Sequence, residues 1–367
     1  MKIILQSLLL VFLSSAVLFP QTKESAPPNV VIRGSQLLTL SSTIVGREYE
    51  LYVRLPRWYE DTTRRFPVVY VLDGQWDFSL VDALYGQQYF DGFLPGLITV
   101  GITWGGPNAN YDSLRAADLT PTNAKGVPQS GNAPKFLAFI KNELVPFIES
   151  KYRVKKEGRT LMGSSYGGLF TLYAIFSEPG LFTRFIAASP AVSFDNGIIY
   201  SFEKKYFDSD PSEPVRLYMV EGGLERGVRE FKSFVDQLQS RGDKVLKMQT
   251  KILENIGHSG SKAEGFTRGL QWAFERKSVT FDPSVLEKYE GMYEIRPGLR
   301  ARVSVEGGRI VGQVADDPKT VFFAENENSF YLKGSFMNAH FKSDDHGKVV
   351  GVEVEQYWGT FFAKKVE

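Results

Sequence analysis

The chain has no cysteine and only three histidines in 367 residues. The first absence excludes disulfides, thiol catalysis and a lipid-carrying cysteine behind a leader. The second, with the histidines scattered at positions 258, 340 and 346, argues against a transition-metal centre. There is no H-E-x-x-H run and no G-x-x-x-x-G-K phosphate loop. No cofactor is therefore expected. Charge of one sign is also missing. A formal net charge of +1 supplies no long-range field to gather nucleic acid or anionic membrane. The basic run "KYRVKKEGR" reads as a solvated connection.

The apolar stretch in "MKIILQSLLLVFLSSAVLFPQ" is too short and too poorly flanked for a membrane span. With Lys2 ahead of it and polar sequence behind it, residues 1–21 read as a secretory signal peptide. The alternative is an uncleaved anchor. The expected location is periplasmic or secreted, without stable membrane insertion after cleavage. The oligomeric state is left open.

What is present is an ordinary globular composition, 43% hydrophobic and 23% charged. "VVIRG" and the alternating "REYELYVRLP" read as strands. "FPVVYVLDG", "GLITVGI", "RTLMG", "RFIAAS" and "VRLYMV" are unbroken apolar runs, which suggests strands buried on both faces of a parallel sheet. "KMQTKIL" alternates more and suits an edge. Helical stripes lie between them. One is Phe136, Ile140, Leu144, Phe147 and Ile148, interrupted at Pro146. Another is Val228, Phe231, Phe234, Val235 and Leu238, with Gly242 as a stop. The alternation predicts a three-layer α/β domain over residues 28–278. From about residue 281 the texture changes to short alternating runs separated by "EGG", "NEN" and "DDHG" turns. That is hairpin patterning, and it predicts a small antiparallel β domain at 281–367.

The chemistry concentrates at "RTLMGSSYGGLF". The spacing G-x-S-x-G selects Gly163, Ser165 and Gly167 and rejects Ser164. A strand enters and a helix leaves, as a nucleophile elbow requires. A serine hydroxyl needs a general base. His258, in the loop "ENIGHSG" behind a strand, is the one histidine in the expected catalytic domain. The base in turn needs a carboxylate, in the chain order serine, acid, histidine. Glu225 is the first choice, with Glu221 and Asp195 as alternatives. The oxyanion donors expected are the N–H groups of Tyr166 and Gln75. The aromatic residues Trp76, Trp104, Tyr111 and Tyr166 lie near the expected mouth and suit either an acyl or aryl pocket or core packing.

These residues carry a resemblance. "YELYVRLP", "FPVVYVLDG", "LRAADLTPT", "FLAFIKNELVPFIESKYRV", "RTLMGSSYGGLFTLYAIFSEPGLFTRFIAASPAV" and "NIGHSG" resemble the Putative esterase family of α/β-hydrolases over about residues 30–275. The likeness is greatest to its siderophore-esterase-like and feruloyl-esterase-like branch. It implies Ser165 as nucleophile and His258 as base, places Glu225 at the matching acid position, and matches the oxyanion loop to "LDGQW". Siderophore esterases hold catecholates with basic residues. Arg115 lies in the matching segment, where it is either a substrate contact or the ion-pair partner of Asp118. The C-terminal segment looks similar to a lipocalin-like module.

The expectation is therefore an exported serine carboxylic-ester hydrolase. It would work through a Ser165–His258–Glu225 triad and an acyl-enzyme, with Trp76, Trp104 and Arg115 as substrate contacts. The partner would be a small-molecule or glycan-linked ester, such as a siderophore, feruloyl or acetyl-sugar ester. Acyl transfer by the same triad, or glycan binding on an inactive hydrolase scaffold, are the alternatives.

Overall fold

A computed structural model describes residues 30–60, 63–106 and 108–366. The expected leader at 1–21 lies outside the described residues.

Eight strands form the first sheet, in the order β1-β2-β4-β3-β5-β6-β7-β8. They are β1 (Ser35–Ser42), β2 (Arg47–Arg54), β3 (Val68–Val71), β4 (Ile98–Trp104), β5 (Thr160–Ser164), β6 (Arg184–Ala188), β7 (Val215–Gly222) and β8 (Leu246–Leu253). β1 and β2 are antiparallel to each other, and β2 to β4. From β4 onward every pair is parallel. The apolar runs explain the order. β3, β4 and β5 are buried at every position, as central parallel strands covered on both faces must be. β8 alternates and lies at the edge.

The helices are α1 (Gly74–Phe90), α2 (Tyr111–Asp118), α3 (Ala133–Phe139), α4 (Val145–Lys151), α5 (Tyr166–Ser177), α6 (Phe194–Gly197), α7 (Ile199–Asp208), α8 (Val228–Gln239) and α9 (Ser261–Ala273). A π-helical turn at Ile140–Leu144 separates α3 from α4. Pro146 has no N–H and its ring crowds the preceding turn, so the ladder widens there rather than running through. The face Phe136, Ile140, Leu144 and Ile148 stays buried across this interruption. Two buried clusters flank the sheet, one containing Phe136, Phe139 and Phe170, the other Val81, Phe266 and Leu270.

The strand expected at "VVIRG" is not formed. Val30 and Val31 are exposed, and the first strand begins at Ser35. β-branched residues favour a pleated strand only where a neighbour packs on them. The ladder with Arg47–Arg54 begins at Ser35 and runs along the whole length of Ser35–Ser42.

After α10 (Pro283–Leu286) the chain forms nine antiparallel strands. These are β9 (Gly291–Arg296), β10 (Leu299–Glu306), β11 (Arg309–Val314), β12 (Thr320–Val321), β13 (Phe323–Ala324), β14 (Ser329–Tyr331), β15 (Met337–Ser343), β16 (Val349–Gln356) and β17 (Gly359–Lys365). Their order runs from β12 through β11, β10, β9, β17, β16, β15 and β14 to β13. The two ends of that list are separated in sequence by Phe322 alone, whose N–H bonds the carbonyl of Ile310 in β11. The sheet must therefore curl on itself into a nearly closed barrel. Its interior holds a cavity of about 430 Å³ lined by Val303, Ile310, Phe322, Phe341 and Phe361.

The two sheets meet through specific contacts. Trp58 Nε1 donates to the carbonyl of Tyr357, Arg64 pairs with Glu355 at 2.7 Å, and Arg276 donates to Asn338. A concavity of about 740 Å³ lies between them at the amino ends of β3, β6 and β7. It contains none of the expected site residues. Those gather at the opposite, carboxyl ends of the strands, where open α/β sheets carry their ligands.

Candidate active site

β5 ends at Ser164 and α5 begins at Tyr166, so the whole reversal falls on Ser165. Its backbone has φ 59° and ψ −118°, a region that L-residues avoid. The strain persists because the surroundings leave no room to relax. A Cβ on Gly163 would lie 2.7 Å from the carbonyl carbon of Gly167, and one on Gly168 would lie 2.9 Å from Pro190 Cα. The glycines are thus required for close packing of strand on helix. Ser164 is buried and its hydroxyl has no partner. Ser165 is the partly exposed serine of the pair, at the positive end of α5.

His258 lies between β8 and α9, with half its side chain exposed. Its Nδ1 is 2.5 Å from Glu225 Oε2. Glu225 follows β7 on a tight turn, in which the Glu225 N–H bonds the Gly222 carbonyl. Its other oxygen, Oε1, accepts from the Gly222 N–H at 2.9 Å and from Ser189 Oγ at 2.5 Å. Ser189 Oγ also lies 2.7 Å from Ser261 Oγ, which donates to the His258 carbonyl. The carboxylate and the histidine loop are thereby tied into one network. Sequence reasoning did not single out Ser189 or Ser261.

Neither alternative acid bonds His258. Asp195 accepts from Thr122 Oγ1 at 2.5 Å. Glu221 is 3% exposed and bonds neither His258 nor any cation among the described residues. Burial, and then the charge of Glu225, push its carboxyl up to about 8.

The loop expected to hold the oxyanion follows β3. Asp73 has φ 52°, and α1 starts directly behind it. Tyr166 and Gln75 occupy the first turns of α5 and α1, where N–H groups lack an intrahelical acceptor. The Gln75 side-chain Oε1 accepts from Thr103 Oγ1 at 2.8 Å.

Two expectations are overturned, the Arg115–Asp118 pair and Trp104 as a substrate contact. Arg115 does not pair with Asp118. It grips Asp73 with two bonds, Nε to Oδ1 at 2.9 Å and Nη2 to Oδ2 at 2.8 Å. Asp118 is instead saturated by Tyr49, Asn132, Arg47 and Trp104. Trp104 is accordingly 3% exposed, with Nε1 donating to Asp118 at 2.8 Å, so it is a core residue and not a substrate contact. Trp76 is 46% exposed and packs edge-on against Tyr111. The Arg115 guanidinium sits 5.6 Å from the Trp76 ring and 5.3 Å from the Tyr166 ring. No cluster suited to hold a metal ion occurs among the described residues.

A mostly parallel sheet with a strained serine corner after a central strand is the α/β-hydrolase arrangement. A family model described as Putative esterase matches residues 41–261, more than half of the chain, and the chain belongs to that family. A second model, Domain of unknown function (DUF3471), matches residues 275–365. Ferri-bacillibactin esterase BesA of Bacillus subtilis (strain 168) is 27% identical over 211 residues, covering 53% of this chain and 72% of that one. The siderophore triacetylfusarinine C esterase of Aspergillus fumigatus is 33% identical over 168 residues, covering 44% of this chain and 57% of that one. A solved IroE-like serine hydrolase from Shewanella oneidensis superposes with a TM-score of 0.60 at 26% identity, over 68% of this chain and 84% of the other. The protein is an esterase.

Proposed function

We propose that this esterase is an exported serine carboxylic-ester hydrolase that works through an acyl-enzyme on small-molecule esters of the siderophore class. The observation that carries the mechanism is the 2.5 Å contact between His258 Nδ1 and Glu225 Oε2. With a proton on Nδ1 and bonded to the carboxylate, Nε2 keeps its lone pair and is a base. Ser165 Oγ attacks the ester carbonyl as its proton passes to His258 Nε2. The N–H groups of Tyr166 and Gln75 hold the oxyanion. His258 then protonates the departing alkoxide, and water repeats the sequence on the acyl-serine.

The substrate class rests on the names of the relatives, two of them siderophore esterases. Trp76, Tyr111 and Tyr166 beside the Arg115–Asp73 pair offer aromatic faces to an aryl or acyl group. Export rests on the sequence of residues 1–21. The test is hydrolysis of p-nitrophenyl butyrate and of trilactone esters by the wild type and by Ser165→Ala, with fluorophosphonate labelling mapped by mass spectrometry. Labelling at Ser165 and loss of turnover in the variant are expected. Equal turnover by both proteins would remove Ser165 as nucleophile.

A further inference from the structure

A second concavity adjoins His258. It has a volume of about 310 Å³ and is lined by the loop Ser189–Ser193 after β6, by Glu221 and Glu225 after β7, by Arg226, Gly227 and Glu230, and by His258 itself. In the proposed mechanism His258 delivers the proton to the departing oxygen, so a substrate group seated against His258 in this pocket would belong to the leaving alcohol. It is large enough for a small head group and too small for a whole siderophore.

Its chemistry is acidic. Three carboxylates line it against one arginine, Arg226, which is exposed. Glu225 is committed to His258, Gly222 and Ser189. Glu230 pairs with Arg229. Glu221 is different. It is 3% exposed, and among the described residues Oε2 is buried without a partner and no cation neutralises it. A buried carboxyl left so is costly unless it stays protonated or meets a positive charge. A Cβ on Gly227 would lie 3.3 Å from Glu221 Oε1, so the glycine leaves the space in front of this carboxyl open. Gly227 itself has φ −81° and ψ 0°, which any residue adopts, so its backbone does not demand glycine.

From this geometry we infer that the pocket is a subsite for a positively charged group on the leaving alcohol, with Glu221 as its counter-ion. The inference rests on the esterase mechanism above and names part of the substrate. In the empty site Glu221 holds a proton at neutral pH, because burial and the charge of Glu225 push its carboxyl up to about 8. Arrival of a cation releases that proton to solvent, leaving an ammonium–carboxylate pair. The charged and titratable groups facing Glu221 are Glu225, Arg226, Glu230 and His258.

The test compares butyrylcholine, whose charge does not vary with pH, with its neutral isostere 3,3-dimethylbutyl butyrate. The readout is the ratio of the two kcat/KM values within each protein. Wild type is expected to favour the cation about tenfold, with the ratio rising from pH 6.5 to 8.5 as Glu221 ionises more readily. Glu221→Gln should bring the ratio close to one, and Gly227→Ala should lower it by crowding the carboxyl. Should Glu221→Gln fail to fold, the pH series of the wild type decides. A wild-type ratio at or below one, or one unmoved by Glu221→Gln, overturns the subsite. If the neutral ester is cleaved by wild type and not by Ser165→Ala, a flat ratio removes the subsite alone. If it is not cleaved at all, the esterase mechanism and the subsite fall together.

Discussion

Glu225 holds His258 with one carboxylate oxygen and is itself held by Gly222 and Ser189 with the other. A carboxylate fixed at both oxygens cannot swing away, so the imidazole is oriented before any substrate arrives. Glu225→Gln keeps the shape and loses the charge. Its kcat on p-nitrophenyl butyrate should fall about 10³–10⁴-fold with the circular dichroism spectrum unchanged. A drop under tenfold would move the acid role to another residue.

Ser189 and Ser261 act one step further out. Removing either hydroxyl takes two contacts from the network, together about 1–3 kcal/mol. Ser189→Ala should therefore cost roughly tenfold in kcat with little change in KM. Ser189→Thr keeps the hydroxyl and is the rescue variant. Equal loss in both would point to packing rather than to the bond.

Arg115 and Asp73, the latter in the loop after β3, form a largely buried bidentate pair. Removing the guanidinium strands a buried carboxylate. Arg115→Ala is expected to lose about 3 kcal/mol of stability in urea unfolding, and Arg115→Ala with Asp73→Asn to lose less than the sum of the two singles. Additive losses would show that the pair is not coupled.

The pH dependence of stability follows from Glu221. Its carboxyl is raised in the folded chain, so between about pH 4.5 and pH 8 the unfolded chain has given up a proton that the folded chain keeps. Stability must fall as pH rises through that window. Glu221→Gln cannot titrate. Its stability relative to wild type should climb from pH 5 to pH 8, reaching about 1–3 kcal/mol. Parallel stability curves for the two proteins would contradict this.

Trp76 and Trp104, alike in sequence, should part in experiment. Trp76→Ala alters an exposed ring near the site and should raise KM for aryl esters while leaving the melting temperature within a degree or two. Trp104→Phe removes a donor from buried Asp118 and should cost about 1–3 kcal/mol. The opposite pattern would make Trp104 a substrate contact and Trp76 a core residue.

What could be read from the sequence follows a physical division. The serine corner and the histidine loop were legible because each is a local pattern: glycines at fixed spacing, a strand before, a helix after. The sheet was legible because full burial erases alternation, and β8 kept its alternation at the edge. The networks were not. Ser189 meets residues 36 and 72 positions away, and a serine in a loop carries no mark of that. For Arg115 the sequence left two roles open, a substrate contact or a pair with Asp118, three positions along its own helix. It reaches Asp73 instead, 42 residues earlier, because Asp118 already has four donors from other elements. Trp104 failed for the same reason, since sequence does not say which way the last residue of a strand points.

The nine-stranded sheet has a consequence of its own. Its outermost strands are consecutive in the chain, joined by one residue, so the margins lie beside each other and not apart. A margin covered by its own counterpart offers little unpaired backbone to a passing chain. A proline at Val311, whose strand adjoins both margins through Thr320–Val321 and the Phe322 bond, would unzip that seam. The injury would show as self-association through newly bared strands, long before any loss of the ester chemistry carried on the other sheet.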